Sequence, residues 1–256
     1  MVRSREHARE IIAAGRVTVD GAPALKPATQ VARDQQIVVS DAPRRWVSRG
    51  GDKLAGALDA LSLPVAGRVC LDAGASTGGF TDVLLDRGAT AVVAVDVGYG
   101  QLAWRLRTDP RVHVVERTHV RELTEAQLGG HSPELVVADL SFISLRSALP
   151  PLRRLLGPGV DWCCLVKPQF EVGRALVGRR GVVRNPDSWG VALDHGRDAA
   201  DELGLTVGGG TVSPLPGPAG NIEFFLWLRE EGGSDWQTLR ASLLARGTAL
   251  RDAATG

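Results

Sequence analysis

The segment that most restricts how this 256-residue chain can fold runs from residue 68 to residue 102. A short apolar run ends there at Asp72, and a loop of small residues then leads into an amphipathic stretch that begins at Phe80. Gly88 follows this stretch at a position typical of a helix end, and a second β-rich run ends at Asp96. The order predicts a strand, a helix and a strand, which is the βαβ unit of a doubly wound α/β fold with a mostly parallel sheet.

The loop of this unit indicates which ligand it can bind. In the spacing Gly74-x-Ser76-x-x-Gly79, serine stands where a dinucleotide site has the glycine that lets the backbone approach a pyrophosphate. No Lys-Ser or Lys-Thr pair follows the glycines, so a P-loop is excluded. Asp96 lies 22 positions after Gly74, which suits a carboxylate that binds ribose hydroxyls. A cofactor with an amino-acid end, a ribose and a base but no phosphate remains. S-adenosylmethionine fits that description, and the alternative is a glycine-rich turn that binds nothing.

Composition narrows the class of protein. With 44% hydrophobic residues the chain can bury the core of one large domain or of two unequal ones. No apolar run approaches the ~20 residues of a membrane helix, and the first ten residues lack a signal-peptide centre, so we expect a cytoplasmic protein without a membrane partner. The 3 cysteines and 5 histidines show no metal-ligand spacing, and no metal is predicted. Residues 1–53 carry ten Lys and Arg against six Asp and Glu, although the whole chain has a net charge of only +1, which suits phosphate contacts by one small module.

Residues 1–43 form a candidate small α+β module. A helix is predicted from Ser4, followed by an alternating strand over residues 16–21 with an Asp-Gly turn and a further strand over residues 36–40. The pattern S-R-x-x-A-x-x-x-I-x-x-G-x-V-x-V-x-G resembles the S4 RNA-binding module, and the alternative is a cap that only packs on the larger domain. Members of that module family normally have one more helix before this one, so we expect a truncated module and a poorly ordered segment over residues 1–14. The resemblance implies RNA contacts by Arg3, Arg5 and Arg9.

A basic linker over residues 44–51 is predicted to join this module to the larger domain. Its candidate RNA contacts are Arg45, Trp46 and Arg49, because arginines can grip an RNA backbone and tryptophan can stack on a base. The alternative for Trp46 is an anchor at the domain joint. A helix with one apolar face is predicted from Asp52, and Lys53 lies at its start.

The larger domain, residues 52–231, is predicted to contain seven mostly parallel strands that alternate with helices. After the first two strands, five more are predicted at residues 112–115, 134–138, 162–166, 206–211 and 222–229. Helices are predicted at residues 99–107, 145–156 and 188–203, and in a carboxyl-terminal tail, residues 232–256.

Further candidate site residues follow the later strands. Ligands of open α/β sheets bind at the carboxyl ends of the strands, where Thr118 would lie near an adenine and where Asp139 and Lys167 end two strands. Residues 173–185 contain arginines without an acid, as in a loop along which an RNA backbone could lie, and the alternative is a solvated loop. The candidate RNA contacts in this loop are Arg174, Arg179 and Arg180.

Four strings give the chain a family resemblance: R-G-G-D-K-L at residues 49–54, D-L-S-F at 139–142, V-K-P-Q-F-E at 166–171 and N-I-E-F-F at 221–225. Together they resemble the Lys-Asp-Lys-Glu set of ribose 2′-O-methyltransferases. The whole chain resembles the TlyA family of bacterial ribosomal-RNA methyltransferases, often labelled hemolysins. The resemblance implies an FtsJ-like class I (Rossmann-like) methyltransferase fold, S-adenosylmethionine as cofactor, and methylation of a cytidine ribose in the RNA of ribosomal subunits. It implies a catalytic tetrad of Lys53, Asp139, Lys167 and Glu223. The predicted cofactor contacts are Asp72, Gly74, Ser76, Thr77, Gly78, Asp96, Thr118 and Asp139.

A ribose hydroxyl must lose its proton as it attacks a methyl group, so one member of the tetrad has to act as a base. We predict Lys167 in this role, with Lys53 as a second cation that favours its neutral form, and with Asp139 and Glu223 as orienting carboxylates. Three alternatives stay open: a non-catalytic RNA-binding protein on this fold, a methyltransferase of small molecules, and a membrane-lytic protein such as the hemolysin label suggests.

Overall fold

The computed structural model describes residues 5–13, 15–24, 26–32, 34–40 and 45–253. The amino-terminal unit consists of α1 (Arg5–Ala13), β1 (Val17–Val19), β2 (Ala22–Pro23) and β3 (Ile37–Val39). The three strands are antiparallel in the order β2-β1-β3, and Ile11 of α1 packs on Val17 and Ala24. The predicted helix and the strands predicted at residues 16–21 and 36–40 are confirmed as α1, β1 and β3, whereas β2 was not predicted. The expected disorder over residues 1–14 stays a prediction, because residues 1–4 and 14 lie outside the described part of the chain.

Seven strands form the sheet of the larger domain. They are β4 (Val69–Ala73), β5 (Ala91–Val95), β6 (Val112–Val115), β7 (Leu135–Ala138), β8 (Asp161–Val166), β9 (Thr206–Val212) and β10 (Phe224–Arg229). Their order is β6-β5-β4-β7-β8-β10-β9, and β10 runs antiparallel to both of its neighbours. Ala73 pairs with Val95 on one side and with Ala138 on the other, so the carboxyl ends of three central strands lie in one row. The seven-stranded, mostly parallel sheet is confirmed.

Helices cover both faces of this sheet. They are α2 (Arg49–Leu61), α3 (Gly79–Asp86), α4 (Trp104–Arg107), α5 (Leu145–Leu156), α6 (Pro168–Glu171), α7 (Pro186–Asp201) and α8 (Trp236–Ala253). One buried cluster joins Cys70 of β4 to α2 and α3, and a second joins the next residue, Leu71, to α5, α7 and α8. Because neighbouring side chains of a strand point to opposite faces, the domain has three layers, helix on sheet on helix.

The helix predicted over residues 99–107 is reduced to α4. The turn before it gives its backbone N–H groups to carboxylates at the strand ends: Gly98 donates to Asp96 Oδ1 at 2.6 Å, and Gly100 donates to Glu116 Oε1 at 2.8 Å. Side chains that accept backbone N–H groups in this way offer the chain an alternative to a helical turn. The segment therefore forms a loop at the carboxyl edge of the sheet instead of a first helical turn.

Two further features bear on the class of protein. Within the described ranges, no helix combines the length and the apolar character that crossing a lipid bilayer requires. Cys70, Cys163 and Cys164 are free and buried, and burial raises the pKa of the Cys70 and Cys163 thiols to about 12. These thiols therefore stay protonated and serve as small apolar core residues.

Candidate active site

The turn after β4 requires glycine at residue 74. Gly74 has a φ of +89°, and a Cβ built on it would lie 2.7 Å from the backbone oxygen of Asp139. Glycine alone can adopt this conformation and also lie against the end of β7. The turn continues into α3 through Ser76, whose φ of +49° is also left-handed. The predicted small-residue loop therefore closes tightly at the carboxyl end of the sheet.

Asp96, directly after β5, is tied to this turn. Its Oδ2 accepts the N–H of Ser76 at 2.8 Å, and its Oδ1 accepts the N–H of Gly98. Each carboxylate oxygen keeps a lone pair that can accept a hydrogen bond from a hydroxyl group. Asp96 lies with Gly74, Ser76 and Thr118 on the wall of a cavity of about 300 Å³, which we call the cofactor cavity. Five of the predicted cofactor residues, these four and Asp139, thus lie on the wall of one cavity.

Three other predicted cofactor residues lie elsewhere. Thr77 lines a neighbouring, larger cavity. Gly78 lines neither cavity, and packing explains it, since a Cβ there would lie 2.8 Å from Leu102 Cδ1. Asp72 is 0% exposed, its Oδ2 accepts the N–H and the hydroxyl of Thr81 at 2.9 and 2.7 Å, and burial raises its pKa to about 7. The prediction that Asp72 and Gly78 contact a cofactor is therefore corrected: Asp72 holds the first turn of α3, and Gly78 makes room for the segment before α4.

The four predicted catalytic residues converge as two ion pairs. Lys53 Nζ, in the first turns of α2, lies 2.5 Å from Glu223 Oε2, just before β10. Lys167 Nζ, after β8, lies 2.5 Å from Asp139 Oδ1, after β7, and donates a hydrogen bond to Ser141 Oγ at 3.0 Å. All four side chains line a cavity of about 710 Å³, which we call the reaction cavity.

The two pairs differ in burial and in geometry. Glu223 is 1% exposed and Lys53 is 7% exposed, so this pair is almost entirely buried at the cavity wall. Asp139 Oδ1 has no hydrogen bond of suitable angle, so its contact with Lys167 is electrostatic, and Ser141 sets the direction of the ammonium group. Buried ion pairs add little to net stability, which favours a chemical role for groups of this kind at a cavity wall.

The cofactor and reaction cavities meet at the loop after β7, where Asp139, Ser141 and Phe142 line both of them. Phe142 is 91% exposed, has a φ of +65°, and its ring centroid lies 5.1 Å from that of Phe170. A large apolar side chain held exposed in a left-handed conformation is a candidate substrate contact. Phe142 is not among the predicted site residues, although a phenylalanine in a loop directly after a strand end was an available signal.

The two linker residues Arg45 and Trp46 contact the protein itself. Trp46 is 5% exposed, and a Cβ on Gly51 would overlap its side chain. Its predicted role in stacking on a base is therefore corrected to the alternative, an anchor at the joint before α2. Arg45 lies over the Trp46 ring at 4.5 Å and pairs with Asp86 at 2.9 Å, so this guanidinium is also engaged within the protein.

Arg49 connects the amino-terminal unit to the reaction cavity. The helix α2 begins at Arg49 and not at Asp52, because Ser48 takes the N-cap position, so the predicted linker contains the first turn of the helix. Arg49 Nη1 donates to the carbonyl oxygen of Gly21 at 2.9 Å, and Nη2 donates to that of Pro216 at 3.2 Å. Arg49 thus links the β1–β2 turn to the loop before β10 and also lines the reaction cavity, and its contact with RNA stays a prediction.

The other predicted RNA contacts stay predictions. Arg5 and Arg9 are exposed on α1, and Arg174 and Arg180 are exposed in two short 3-10 turns between α6 and α7. Arg3 and the side chain of Arg179 lie outside the described part of the chain. The segment between α6 and α7 is attached to the wall of the reaction cavity, because Asn221 Nδ2 donates to the Gly181 carbonyl oxygen at 2.9 Å.

The fold and the site together define a class I methyltransferase: a seven-stranded sheet with one antiparallel strand, a glycine turn after its first strand, and an acid after its second. The model of the FtsJ-like methyltransferase family matches residues 46–230, and the S4 domain model matches residues 1–37.

Known proteins narrow this class. The chain is 57% identical over 232 residues to the 16S/23S rRNA (cytidine-2′-O)-methyltransferase TlyA of Mycobacterium tuberculosis, which covers 90% of this chain and 86% of the relative. It is 33% identical to the 23S rRNA (cytidine-2′-O)-methyltransferase TlyA of Campylobacter jejuni, over 71% of this chain and 70% of the relative. A solved hemolysin-labelled structure from Streptococcus thermophilus is 36% identical, with a TM-score of 0.81 over 98% of this chain and 93% of that one. The chain belongs to the TlyA family of FtsJ-like methyltransferases that carry an S4 domain.

Proposed function

We propose that this enzyme transfers the methyl group of S-adenosylmethionine to the 2′ hydroxyl of a cytidine ribose in ribosomal RNA, on ribosomal subunits in the cytoplasm. The observation that carries the proposal is the junction of the cofactor cavity with a second cavity whose wall holds two lysines and two carboxylates. The names of the relatives from M. tuberculosis and C. jejuni support the nucleoside and the class of RNA.

The cofactor cavity suits S-adenosylmethionine. No lysine or arginine is among its lining residues in the described part of the chain, as expected for a ligand that carries a ribose but no phosphate. Asp96 offers two carboxylate lone pairs to ribose hydroxyls, and Thr118 lies on the same wall. When bound, S-adenosylmethionine supplies an electrophilic methyl group.

Lys167 is the proton acceptor in this proposal. Its Nζ is fixed by Asp139 and Ser141 at the wall of the reaction cavity, next to residues that line both cavities. The ribose hydroxyl would transfer its proton to Lys167 Nζ as its oxygen accepts the methyl group, and the methyl–sulfur bond would break to leave neutral S-adenosylhomocysteine. Lys53, held in place by Glu223, adds a second positive charge to the same cavity. Much of the acceleration comes from holding the hydroxyl in the attack geometry.

Two features of the reaction cavity support an RNA substrate over a small molecule. The exposed ring of Phe142 at its rim can stack on a base that has left its helix. Pro23 of β2 also lines this cavity, so the S4 domain lies where a large substrate would enter. Arg49 holds that position through its bonds to Gly21 and Pro216.

The test separates chemistry from binding. Lys167→Arg keeps the positive charge but removes a group that can accept a proton at neutral pH. Methyl transfer from labelled S-adenosylmethionine to ribosomal subunits should fall by about 10²–10⁴-fold, while calorimetry gives a cofactor Kd within about twofold of wild type. Lys26→Arg, the same exchange at an exposed residue of the S4 domain, is the matched control and should retain activity. Normal turnover by Lys167→Arg would remove Lys167 from the role of base.

A further inference from the structure

A third cavity, of about 550 Å³, shares Phe142 and Phe170 with the reaction cavity, and we call it the arginine cavity. Its charged lining residues are Arg121, after β6, and Arg174, after α6. The tetrad does not use it, and it is distinct from the cofactor cavity, although His119 and Phe142 line both. The fold therefore places a separate basic recess beside the exposed ring at the rim of the reaction cavity.

The positive charge of this recess is not neutralised by any acid in the described part of the chain. Neither Arg121 nor Arg174 forms a side-chain hydrogen bond or an ion pair with the residues that the structure describes, and no described acid lines the cavity. Other arginines of the domain do have acidic partners, namely Arg105 with Asp82, Arg146 with Glu202 and Arg153 with Glu230. Two free guanidinium groups in one cavity are complementary to an anion, and planar, bidentate recognition of phosphate is what arginine does best.

Two serine hydroxyl groups and the His119 ring complete the polar lining. Ser144 Oγ and Ser147 Oγ lie 3.1 Å apart at the start of α5, and both residues line the arginine cavity. The first N–H of α5, on Leu145, already donates to Glu171 Oε1 at 2.8 Å. The guanidinium and hydroxyl groups, and not the helix end, are thus the donors available to a ligand.

We propose that the arginine cavity binds a phosphodiester next to the methylated nucleotide, with Arg121 and Arg174 as its cationic contacts. The inference rests on the proposed function, because the RNA strand whose target nucleotide enters the reaction cavity has to continue past Phe142 and Phe170. A ring on which the target base stacks and an anion site for the adjoining phosphate together fix one nucleotide and one linkage. The site positions the backbone and does not read the base, so it acts on RNA affinity and not on cofactor binding.

The variant for the test is Arg121→Gln/Arg174→Gln. Its charge-matched control is Arg154→Gln/Arg229→Gln, in which one residue lies in the last turn of α5 and the other at the end of β10 that is remote from the tetrad. We expect the site variant to raise the Kd of a methylatable ribosomal-RNA fragment by roughly tenfold, and to lower the slope of log K against log salt by about 0.7 for the lost phosphate contact. The control and the calorimetric Kd of S-adenosylmethionine should stay at the wild-type values.

A chemical change in the RNA tests the contact itself. A neutral methylphosphonate replaces the linkage 5′ or 3′ of the methylated ribose, one at a time. At one of these two positions, wild type should lose affinity and Arg121→Gln/Arg174→Gln should lose no more. An equal loss for wild type and variant at both positions overturns the proposal.

Titration with inorganic phosphate distinguishes a free-anion site, because saturable binding of phosphate without competition against RNA would also overturn it. If wild type methylates the RNA but the variant and the methylphosphonate lower the affinity independently of each other, the proposed phosphate site is wrong and the proposed function stands. Absence of both binding and methylation defeats the two together.

Discussion

The buried pair of Lys53 and Glu223 allows stability to be separated from catalysis. Lys53→Met would leave the Glu223 carboxylate, 1% exposed, without the cation that lies 2.5 Å away. Removal of one partner of a buried pair costs about 3–5 kcal/mol. At about 2–4 °C per kcal/mol for a chain of this size, the Tm should fall by roughly 6–20 °C.

The double variant Lys53→Met/Glu223→Met removes both charges and approximately keeps the side-chain volumes. Because replacing a buried pair by apolar residues is close to neutral, its free energy of unfolding should return to within about 1 kcal/mol of wild type. The double variant should nevertheless show no methyl transfer to ribosomal subunits, since the second cation of the reaction cavity is gone. Urea unfolding and incorporation of labelled methyl measure the two properties. Wild-type activity in the double variant, or a double variant as unstable as Lys53→Met, would refute the reasoning.

Three further variants test the site and the buried acids. Glu171→Gln should be more stable than wild type by about 3 kcal/mol at pH 8 and equally stable at pH 4. Burial raises the pKa of Glu171 from 4.5 to about 7, so the wild type loses stability as the pH rises between those values. A difference in the free energy of urea unfolding that does not depend on pH would contradict this. Gly74→Ala should abolish the binding of S-adenosylmethionine measured by calorimetry. The control is Gly67→Ala, which should retain binding, because Gly67 has a similar φ of +80° but an added Cβ would meet no atom within 4 Å. Equal behaviour of the two variants would show that backbone strain, and not the contact with Asp139, matters. Asp96→Asn should raise the cofactor Kd by about tenfold with Asp59→Asn as the control, and an unchanged Kd would remove Asp96 from the cofactor site.

The parts of the site that follow from local sequence were predictable. The small-residue loop, its glycine and Asp96 lie within one βαβ unit, where strand ends and turn chemistry fix the geometry. The parallel pairing of Ala73 with Val95 and Ala138 then puts the ends of the central strands in one row. These features depend on residues close in the chain or on general rules of parallel sheets.

The long-range parts were not predictable from spacing. Lys53 and Glu223 lie 170 residues apart, and nothing near either residue signals the other. Their membership of one site came from the family resemblance alone, and their pairing was not predicted. The role of Trp46 could not be predicted for a different reason. An aromatic residue among arginines is equally compatible with stacking on a base and with anchoring a domain joint. The close approach of Gly51 to its ring decides for the anchor, and such contacts form only when α2 is in place. The arginine cavity likewise joins residues from three separate loops.

The most direct test of the central claim maps the position of the transferred methyl group. Wild-type enzyme is incubated with ribosomal subunits and methyl-labelled S-adenosylmethionine, and the RNA is then cleaved with alkali, which needs a free 2′ hydroxyl. We predict that the label stays in an alkali-resistant dinucleotide whose first nucleoside is 2′-O-methylcytidine. Label on a base, in an alkali-sensitive nucleotide or nowhere in the RNA would contradict it.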